Sequence, residues 1–292
     1  MRTRVLSLTL LACALVGASA AADNRVGVNA AIRNTVQEKE AGPGALHPAV
    51  LRAPVALGDT VVSGSDSALQ MLLIDHSVFT VGANARVTID RFVYDPDRGT
   101  SDIAASVATG AFRFMSGRSL HGFGADAINT PVASIGVRGT MLEGVVGPGA
   151  VQVLSGEPRL PPFNGDPANL NLIVLNGPGK NSQGFDTPGA IDVTAGGTTV
   201  TINHPGQAVV VFGPGQPPFG PFNLSDGAFA RLSALLRTTP TGPEDEGPHT
   251  GSAGAQSGDT ASVGSTGGDP YNKQTNGLNL SPPHRVDDNV GR

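Results

Sequence analysis

Apolar and polar residues alternate in short segments through the middle of the chain, and turn-forming residues separate these segments. Residues 67–75 alternate and then become an apolar run, a polar triplet at 75–77 interrupts it, and residues 78–81 resume an extended pattern. Because successive side chains of a strand point to opposite faces, this pattern predicts a series of β-strands. In the next segment, residues 86–94, the alternation places four side chains on one face: Val87, Ile89, Arg91 and Val93.

The strongest hairpin signal lies at Gly196-Gly197, between alternating segments at residues 191–195 and 198–202. Two glycines permit the positive φ angles of a two-residue turn. Other short segments also have strand character, whereas the charged, Gly- and Pro-containing residues 37–47 indicate a loop. These further predicted strands lie at residues 25–36, 50–62, 103–109, 111–115, 127–129, 133–137, 141–146 and 208–212.

One helix is predicted, at residues 225–237. Ser225 is a suitable N-cap, Asp226 favours the helix N-terminus, and an apolar stripe follows. We expect this helix to pack against the open end of the sheet. The stripe consists of Phe229, Leu232, Leu235 and Leu236.

The predicted strands form one all-β domain over residues 24–213. Many short strands can stack as a sandwich, close as a barrel, or wind as a short β-roll or solenoid-like domain. Residues 158–189 are rich in Pro and Gly around one apolar segment, 170–175, which indicates a loop-rich insertion with one added strand. Residues 238–292 have too few apolar side chains to offset the entropy of ordering, so a disordered tail is predicted.

The first 22 residues have the composition of a cleavable signal peptide. Arg2 and Arg4 precede an apolar core from residue 5 to 16, and small residues follow. The core is too short to span a bilayer, so we expect a periplasmic or secreted protein with no integral membrane segment in its mature chain. A lipoprotein with Cys13 as its lipid anchor is a minor alternative, because Leu11 stands where a small residue is usual.

Composition and charge narrow the possible functions. The sequence holds 40 Gly and 23 Pro but no Trp, which favours many short strands joined by tight turns. Removal of Arg2 and Arg4 leaves 17 basic residues against 24 acidic ones, a formal charge of −7. A net negative charge opposes non-specific nucleic-acid binding.

Six segments in order resemble a FecR domain over about residues 54–146. They are Gly58-Asp59, Val62-Ser63-Gly64, Leu69-Gln70-Met71-Leu72-Leu73-Ile74-Asp75, Phe92-Val93-Tyr94-Asp95-Pro96, Gly110-Ala111-Phe112-Arg113-Phe114, and the block from Thr130-Pro131 to Arg138-Gly139-Thr140. The resemblance implies a roll-like all-β domain. One departure is Asp75-His76-Ser77, where many members have Asp-Gly-Ser or Asp-Gly-Thr. Without a glycine, this triplet does not by itself predict a turn that requires a positive φ.

The resemblance marks a set of motif residues whose role we interpret as structural. Pro131 removes a ladder donor and favours the start of a strand or a bend. Arg138, between glycines in an apolar context, is expected to tie backbone carbonyls or a carboxylate such as Asp75 or Asp90, with ligand binding as the alternative. The set comprises Asp75, Gly110, Thr130, Pro131, Gly136, Arg138, Gly139 and Thr140.

Few residues point to catalysis, a metal or a cofactor, and none of the three is predicted. The six histidines never fall at metal-ligand spacing, and residues 95–99 resemble a calcium loop but fit a hairpin turn better. Gly122-Phe123-Gly124 and Gly147-Pro148-Gly149 lack the strand-to-helix context of a phosphate-binding loop, so we interpret them as turn formers. Glu143 with Asp90 or Asp126 forms a glycosidase-like pair only if folding brings the carboxylates together.

The FecR family is known from the periplasmic part of iron-uptake anti-sigma regulators and from free-standing secreted proteins. In regulatory members, the resemblance would imply a sigma-binding segment and a membrane helix, where this sequence instead begins with a signal-like segment. We therefore expect a non-catalytic exported protein that acts in protein interaction or signalling at the cell envelope. Its expected partner is an envelope or outer-membrane protein, reached by β-augmentation of an exposed edge strand. A structural scaffold is the alternative, an enzyme comes third, and the oligomeric state stays open.

Overall fold

A computed structural model describes residues 24–117, 126–177 and 189–239, and strands make up 51% of them. The all-β prediction is confirmed. The predicted signal peptide and almost all of the predicted tail, from residue 240 onward, lie outside the described residues. None of the described helices is long and apolar enough to cross a membrane.

The strands form two sheets of nine strands each, with one strand shared between them. In spatial order, sheet A consists of β4 (Pro54–Ala56), β1 (Arg25–Arg33), β6 (Ala68–Leu73), β7 (Val78–Val81), the second part of β9 (Thr100–Met115), β12 (Met141–Val146), β13 (Asn171–Gly177), β16 (Gln207–Val211) and β17 (Phe219–Asn223). Sheet B consists of β3 (His47–Pro48), β2 (Val36–Lys39), β5 (Thr60–Ser63), β8 (Arg86–Asp95), the first part of β9, β10 (Asp126–Asn129), β11 (Ser134–Arg138), β14 (Ala190–Ala195) and β15 (Thr198–Ile202). Neighbouring strands are antiparallel except β9 and β10, which are parallel.

The shared strand β9 passes from sheet B to sheet A at Gly110. Thr100 to Thr109 pair with β8, and Phe112 to Met115 pair with β7. Gly110 has a φ of 86°, and the backbone of Ala85 lies where a Cβ atom would stand. Only glycine combines this conformation with so close an approach. The sequence pattern predicted two strands here, but the positive φ bends one strand without ending it.

The space between the two sheets holds the main hydrophobic core. Three phenylalanines of sheet A pack together in it, with the ring centroid of Phe79 6.4 Å from that of Phe112 and 6.0 Å from that of Phe114. Sheet B contributes alternate residues such as Ile135 and Val193. Of the architectures that the sequence left open, the molecule therefore adopts a two-layer sandwich.

A second core lies on the outer face of sheet A, where two helices cover it. The helices are α1 (Pro148–Leu154) and α2 (Asp226–Ala234), and Leu172 and Val210 of the sheet are buried under them. Ser225 caps α2 by accepting a hydrogen bond from the amide of Ala228 at 3.3 Å, as its sequence predicts. The helix packs on this face of the sheet rather than on its open end.

Local structure differs from the sequence-based predictions at several elements. Residues 37–39, placed in a loop, belong to β2, and β17 was not predicted at all. The strand predicted at 170–175 is present as β13, and it lies inside sheet A between β12 and β16. Gly147 does lie between a strand and a helix, since α1 begins at Pro148, and the predicted lack of such context was wrong. The other Gly-rich triplet, at residues 122–124, is outside the described residues.

The strand β8 contains a bulge that reverses its alternation. The register against β9 shifts between Ile89 and Arg91, so Val87 and Ile89 face the core while Val93 is 58% exposed. The extra residue of a bulge moves every following side chain to the opposite face. The predicted common face for Val87, Ile89, Arg91 and Val93 was therefore wrong.

Candidate interaction site

The motif residues of the β6–β7 and β11–β12 turns meet at one end of the sandwich. The buried Asp75 accepts hydrogen bonds from the amide of Ser77 at 2.9 Å and from its hydroxyl at 2.7 Å. The Ser77 hydroxyl in turn accepts from the amide of Gly117 at 2.9 Å. Thr140 donates through its hydroxyl to the carbonyl of Gly177 at 3.1 Å. These bonds tie the ends of β6, β7, β9 and β13 together.

The departure at His76 leaves the turn geometry intact. His76 has a φ of 67°, the left-handed conformation that glycine would adopt most easily. Histidine is one of the residue types found there more often than most. The turn thus keeps its shape with an exposed imidazole in place of glycine.

The same end of the molecule contains a buried carboxyl group on β10. Burial and, next, the neighbouring Asp75 carboxylate raise the pKa of Asp126 to about 7, while hydrogen bonds from the Ile103 backbone and the Ser116 side chain lower it. A carboxyl group with this pKa can exchange a proton near neutral pH. Asp126 itself was weighed in the sequence only as one half of a glycosidase-like pair.

The structure does not assemble that glycosidase-like pair. Glu143 is buried on the outer face of sheet A, where Arg113 contacts its Oε1 at 2.7 Å and Asn176 donates to the same oxygen at 2.9 Å. Asp90 lies on the exposed face of sheet B and accepts from the Ser106 hydroxyl at 2.6 Å. The three carboxylates occupy different layers, so the condition for pairing Glu143 with Asp90 or Asp126 is not met.

Arg138 lies on the solvent side of sheet B, where it contacts a carboxylate other than the two that the sequence analysis named. Its side chain is 56% exposed, and its Nη2 lies 3.1 Å from Oδ1 of Asp192 on the neighbouring strand. Neither Asp75 nor Asp90 is its partner. The strand alternation explains the difference, because Ile135 and Val137 face the core and Arg138 therefore faces outward.

The remaining motif residues shape turns. The Thr130 hydroxyl donates to the carbonyl of Ala133 at 3.1 Å and closes the bend that holds the exposed Pro131 between β10 and β11. Gly139 has a φ of 55° in the turn before β12. Gly136 is different, since a Cβ atom there would meet only Asp192, at 3.9 Å.

Within residues 24–117, 126–177 and 189–239, no three His, Cys, Asp or Glu side chains converge to hold a metal ion. Asp95 accepts hydrogen bonds from the amides of Asp97 and Arg98, both at 3.1 Å, which makes residues 95–98 a compact turn.

The edges of the two sheets differ in how well they are protected against pairing with another chain. Across the described residues, four strands lie at sheet edges, and three of them contain proline: β3 with Pro48, β4 with Pro54 and β17 with Pro221. Proline lacks an amide donor and blocks strand addition. The fourth edge, β15, reads Thr-Thr-Val-Thr-Ile and has neither proline nor charge.

The turn geometry shows which groups of β15 face the open edge. Gly196 and Gly197 have φ angles of 53° and 74° in a two-residue turn, so the flanking Ala195 and Thr198 form a hydrogen-bonded pair. The ladder then alternates, and the non-hydrogen-bonded pairs are Thr194 with Thr199 and Asp192 with Thr201. The amides and carbonyls of Thr199 and Thr201 therefore point away from β14.

Side-chain contacts agree with this assignment. The hydroxyls of Thr194 and Thr199 lie 2.8 Å apart, and Thr201 donates to Asp192 at 2.6 Å. Such close side chains are typical of non-hydrogen-bonded pairs. Sequence analysis found the hairpin but not this edge, although the lack of proline and charge in residues 198–202 was a readable signal.

Comparison with known proteins places a family match on the first part of the sandwich. Residues 59–157 match the model of the family described as FecR protein. No curated protein matches the sequence. Two crystal structures of a candidate anti-sigma factor from Parabacteroides distasonis ATCC 8503, at 1.65 and 2.50 Å resolution, align at 12% identity with a TM-score of 0.35. Each alignment covers 55% of this chain and 57% of the other, little more than half of either.

Proposed function

We propose, from the FecR domain that this chain carries at residues 59–157, that the protein binds another protein at the bacterial cell envelope and acts there in signalling. A FecR domain supports a signalling or regulatory role rather than a catalytic one. The signal-like first 22 residues support export to the periplasm or beyond. The partner is an envelope or outer-membrane protein.

The observation that carries the proposal is the edge of β15, which among the described strands pairs with β14 alone. Its exposed threonines, Thr199 and Thr201, present two amides and two carbonyls to one side. A strand of the partner that pairs here gains main-chain hydrogen bonds, while alternate side chains set its specificity. Because the other three edges contain proline, β15 is the edge at which a partner strand can pair.

The test is site-specific photocrosslinking at Thr199 in the exported chain, in its native envelope, with a matched pair of substitutions at Thr201. Thr201→Pro removes an outward amide without breaking the ladder to β14, whereas Thr201→Val keeps that amide and removes only the hydroxyl. We expect one discrete crosslinked protein with the wild type and Thr201→Val, and its loss with Thr201→Pro.

Two controls make the result interpretable. Equal thermal unfolding of both variants shows that neither has lost its fold. Capture that is equal in both variants contradicts the edge-strand mechanism, and the absence of any discrete partner favours the scaffold role instead.

Export is tested separately. Residues 1–22 fused to a reporter that is active only outside the cytoplasm should give activity, and N-terminal sequencing should find the mature chain starting at or just before Asp23. A chain recovered with Met1 intact would contradict export by a cleavable signal.

A further inference from the structure

A cavity on the outer face of sheet A separates α1 from the loop that follows it. Its volume is about 330 Å³, near the lower end of the range for small-molecule pockets. The walls are mostly apolar. They include Val151, Leu154, Leu160, Phe163, Leu170 and Phe212.

One carboxylate lines this apolar cavity. Glu157 is 7% exposed, and its Oε2 accepts a hydrogen bond from the amide of Ser225 at 3.1 Å. Its Oε1 is buried and has no hydrogen-bond partner among the described residues. A buried carboxylate oxygen without a donor is costly, so a bound donor at this position is stabilising.

The protein supplies no cation for this carboxylate within the described chain. No ion pair of residues 24–117, 126–177 and 189–239 involves Glu157. Arg231 of α2 instead directs its donors to backbone, at 2.8 Å to the carbonyl of Val153 and 2.8 Å to that of Ser155. A bound cation would supply the charge complement that the described residues do not.

The aromatic wall favours the same kind of ligand. Phe163 and Phe212 are stacked with their ring centroids 6.1 Å apart. Aromatic faces attract cations and bury apolar groups. A sugar or an anion would find neither several polar partners nor a positive charge here.

We propose that this cavity binds a primary ammonium group on a short apolar body, with the ammonium on Glu157 and the body against Phe163 and Phe212. A free amine and a lysine side chain share this chemistry. The site does not involve β15, so the test of this cavity and the test of the proposed edge-strand pairing have independent outcomes.

The first experiment compares two probes of equal shape by isothermal titration calorimetry, using the protein from Asp23 to Arg292. The probes are 4-phenylbutylammonium and 4-phenylbutanol. We expect the ammonium probe to bind at least about tenfold tighter, because a charge-assisted bond to a buried carboxylate is stronger than a neutral one. Equal affinity, or no binding of the ammonium probe, overturns the proposal.

Two variants test whether Glu157 causes the preference for the ammonium probe. Glu157→Gln keeps an oxygen acceptor for the Ser225 amide but removes the negative charge. We therefore expect this variant to bind the ammonium probe and the alcohol probe with about equal affinity. Phe163→Ala should weaken both probes alike and keep the preference. If Glu157→Gln keeps the wild-type preference, the site is not at Glu157 and the proposal fails. If Glu157→Gln does not fold, the wild-type comparison together with Phe163→Ala still decides.

The source of the ammonium group is distinguished by a second pair of probes, acetyl-Leu-Lys-Leu-amide and its norleucine counterpart. Tighter binding of the lysine peptide than of 4-phenylbutylammonium identifies a protein side chain as the ligand. Binding of the free amine with no binding of the peptide identifies a small-molecule amine. Both results support the ammonium site.

Discussion

The outer faces of the two sheets have opposite environments. On sheet A, α1 and α2 cover β12, β13 and β16, and β13 reads as a continuous apolar run, Leu172-Ile173-Val174-Leu175, whereas Leu72 on β6 stays 40% exposed. Sheet B faces solvent and its strands alternate, as in Ile191-Asp192-Val193-Thr194. A strand buried on both faces needs apolar residues at every position, whereas one buried on a single face needs them at every second.

Each outer face contains a cross-strand pair between an arginine and a carboxylate. The two pairs differ in how deeply the carboxylate is buried. Arg113 contacts Glu143 on sheet A, with the Glu143 side chain 1% exposed. Arg138 contacts Asp192 on sheet B, with the Asp192 side chain 34% exposed. The same chemistry should therefore differ in its contribution to the free energy of unfolding.

The largest effect is expected for Arg113→Met. It leaves Glu143 buried without its cation, and breaking a buried pair in this way typically costs about 3–5 kcal/mol. Urea unfolding followed by circular dichroism measures the change. A loss below about 1 kcal/mol would mean that Glu143 is hydrated or relieved by Asn176, and the contrast between the sheets would disappear.

Next comes Gly110→Ala, at the point where β9 joins the two sheets. A positive φ and a clash with the Ala85 backbone should together cost about 2–4 kcal/mol. Gly136→Ala on sheet B is the matched control, since its Cβ has room, and should change stability by less than about 1 kcal/mol. Equal thermal midpoints for the two variants would refute the assigned role of Gly110.

The carboxyl group of Asp126 extends the comparison to pH, because burial and the neighbouring Asp75 carboxylate raise its pKa. Its pKa of about 7 exceeds that of an unfolded Asp, about 4, so between these values only the folded protein holds the proton. The free energy of unfolding should therefore fall as pH rises from about 4 to 7, by on the order of 2–4 kcal/mol, and level off above 7.

Asp126→Asn provides the reference for this measurement. Since Asn does not titrate, the difference in unfolding free energy between wild type and variant isolates the contribution of Asp126. A difference that stays constant from pH 4 to pH 8 would contradict the raised pKa.

The smallest effect is expected for Arg138→Ala. The exposed pair with Asp192 contributes about 1 kcal/mol or less, and Asp192 keeps its hydrogen bond from Thr201. Differential scanning calorimetry should show nearly the wild-type midpoint. A loss as large as that of Arg113→Met would show that the exposed pair stabilises the protein as much as the buried pair, and the contrast between the sheets would disappear.

Predictions from sequence succeeded where one short segment contains all the necessary information. The hairpin at Gly196-Gly197 follows from the turn residues and their flanking alternation, and the cap at Ser225 follows from local hydrogen bonding. Predictions failed where pairing with a strand distant in the sequence determines which side chains face the core. The bulge after Ile89 reverses the faces of β8 because β9 sets the register, which no local alternation reveals.

By itself, the sequence determined that the chain forms short strands, where many of them lie, and that one helix follows them, because side-chain periodicity and turn residues act over a few residues. Tertiary structure alone decided four further features. It placed Arg138 in solvent and Glu143 under Arg113, put Asp126 beside Asp75, and left β15 as the one edge without proline among the described strands. These features depend on which strands become neighbours, and pairing between residues far apart in the chain is not written in any single segment.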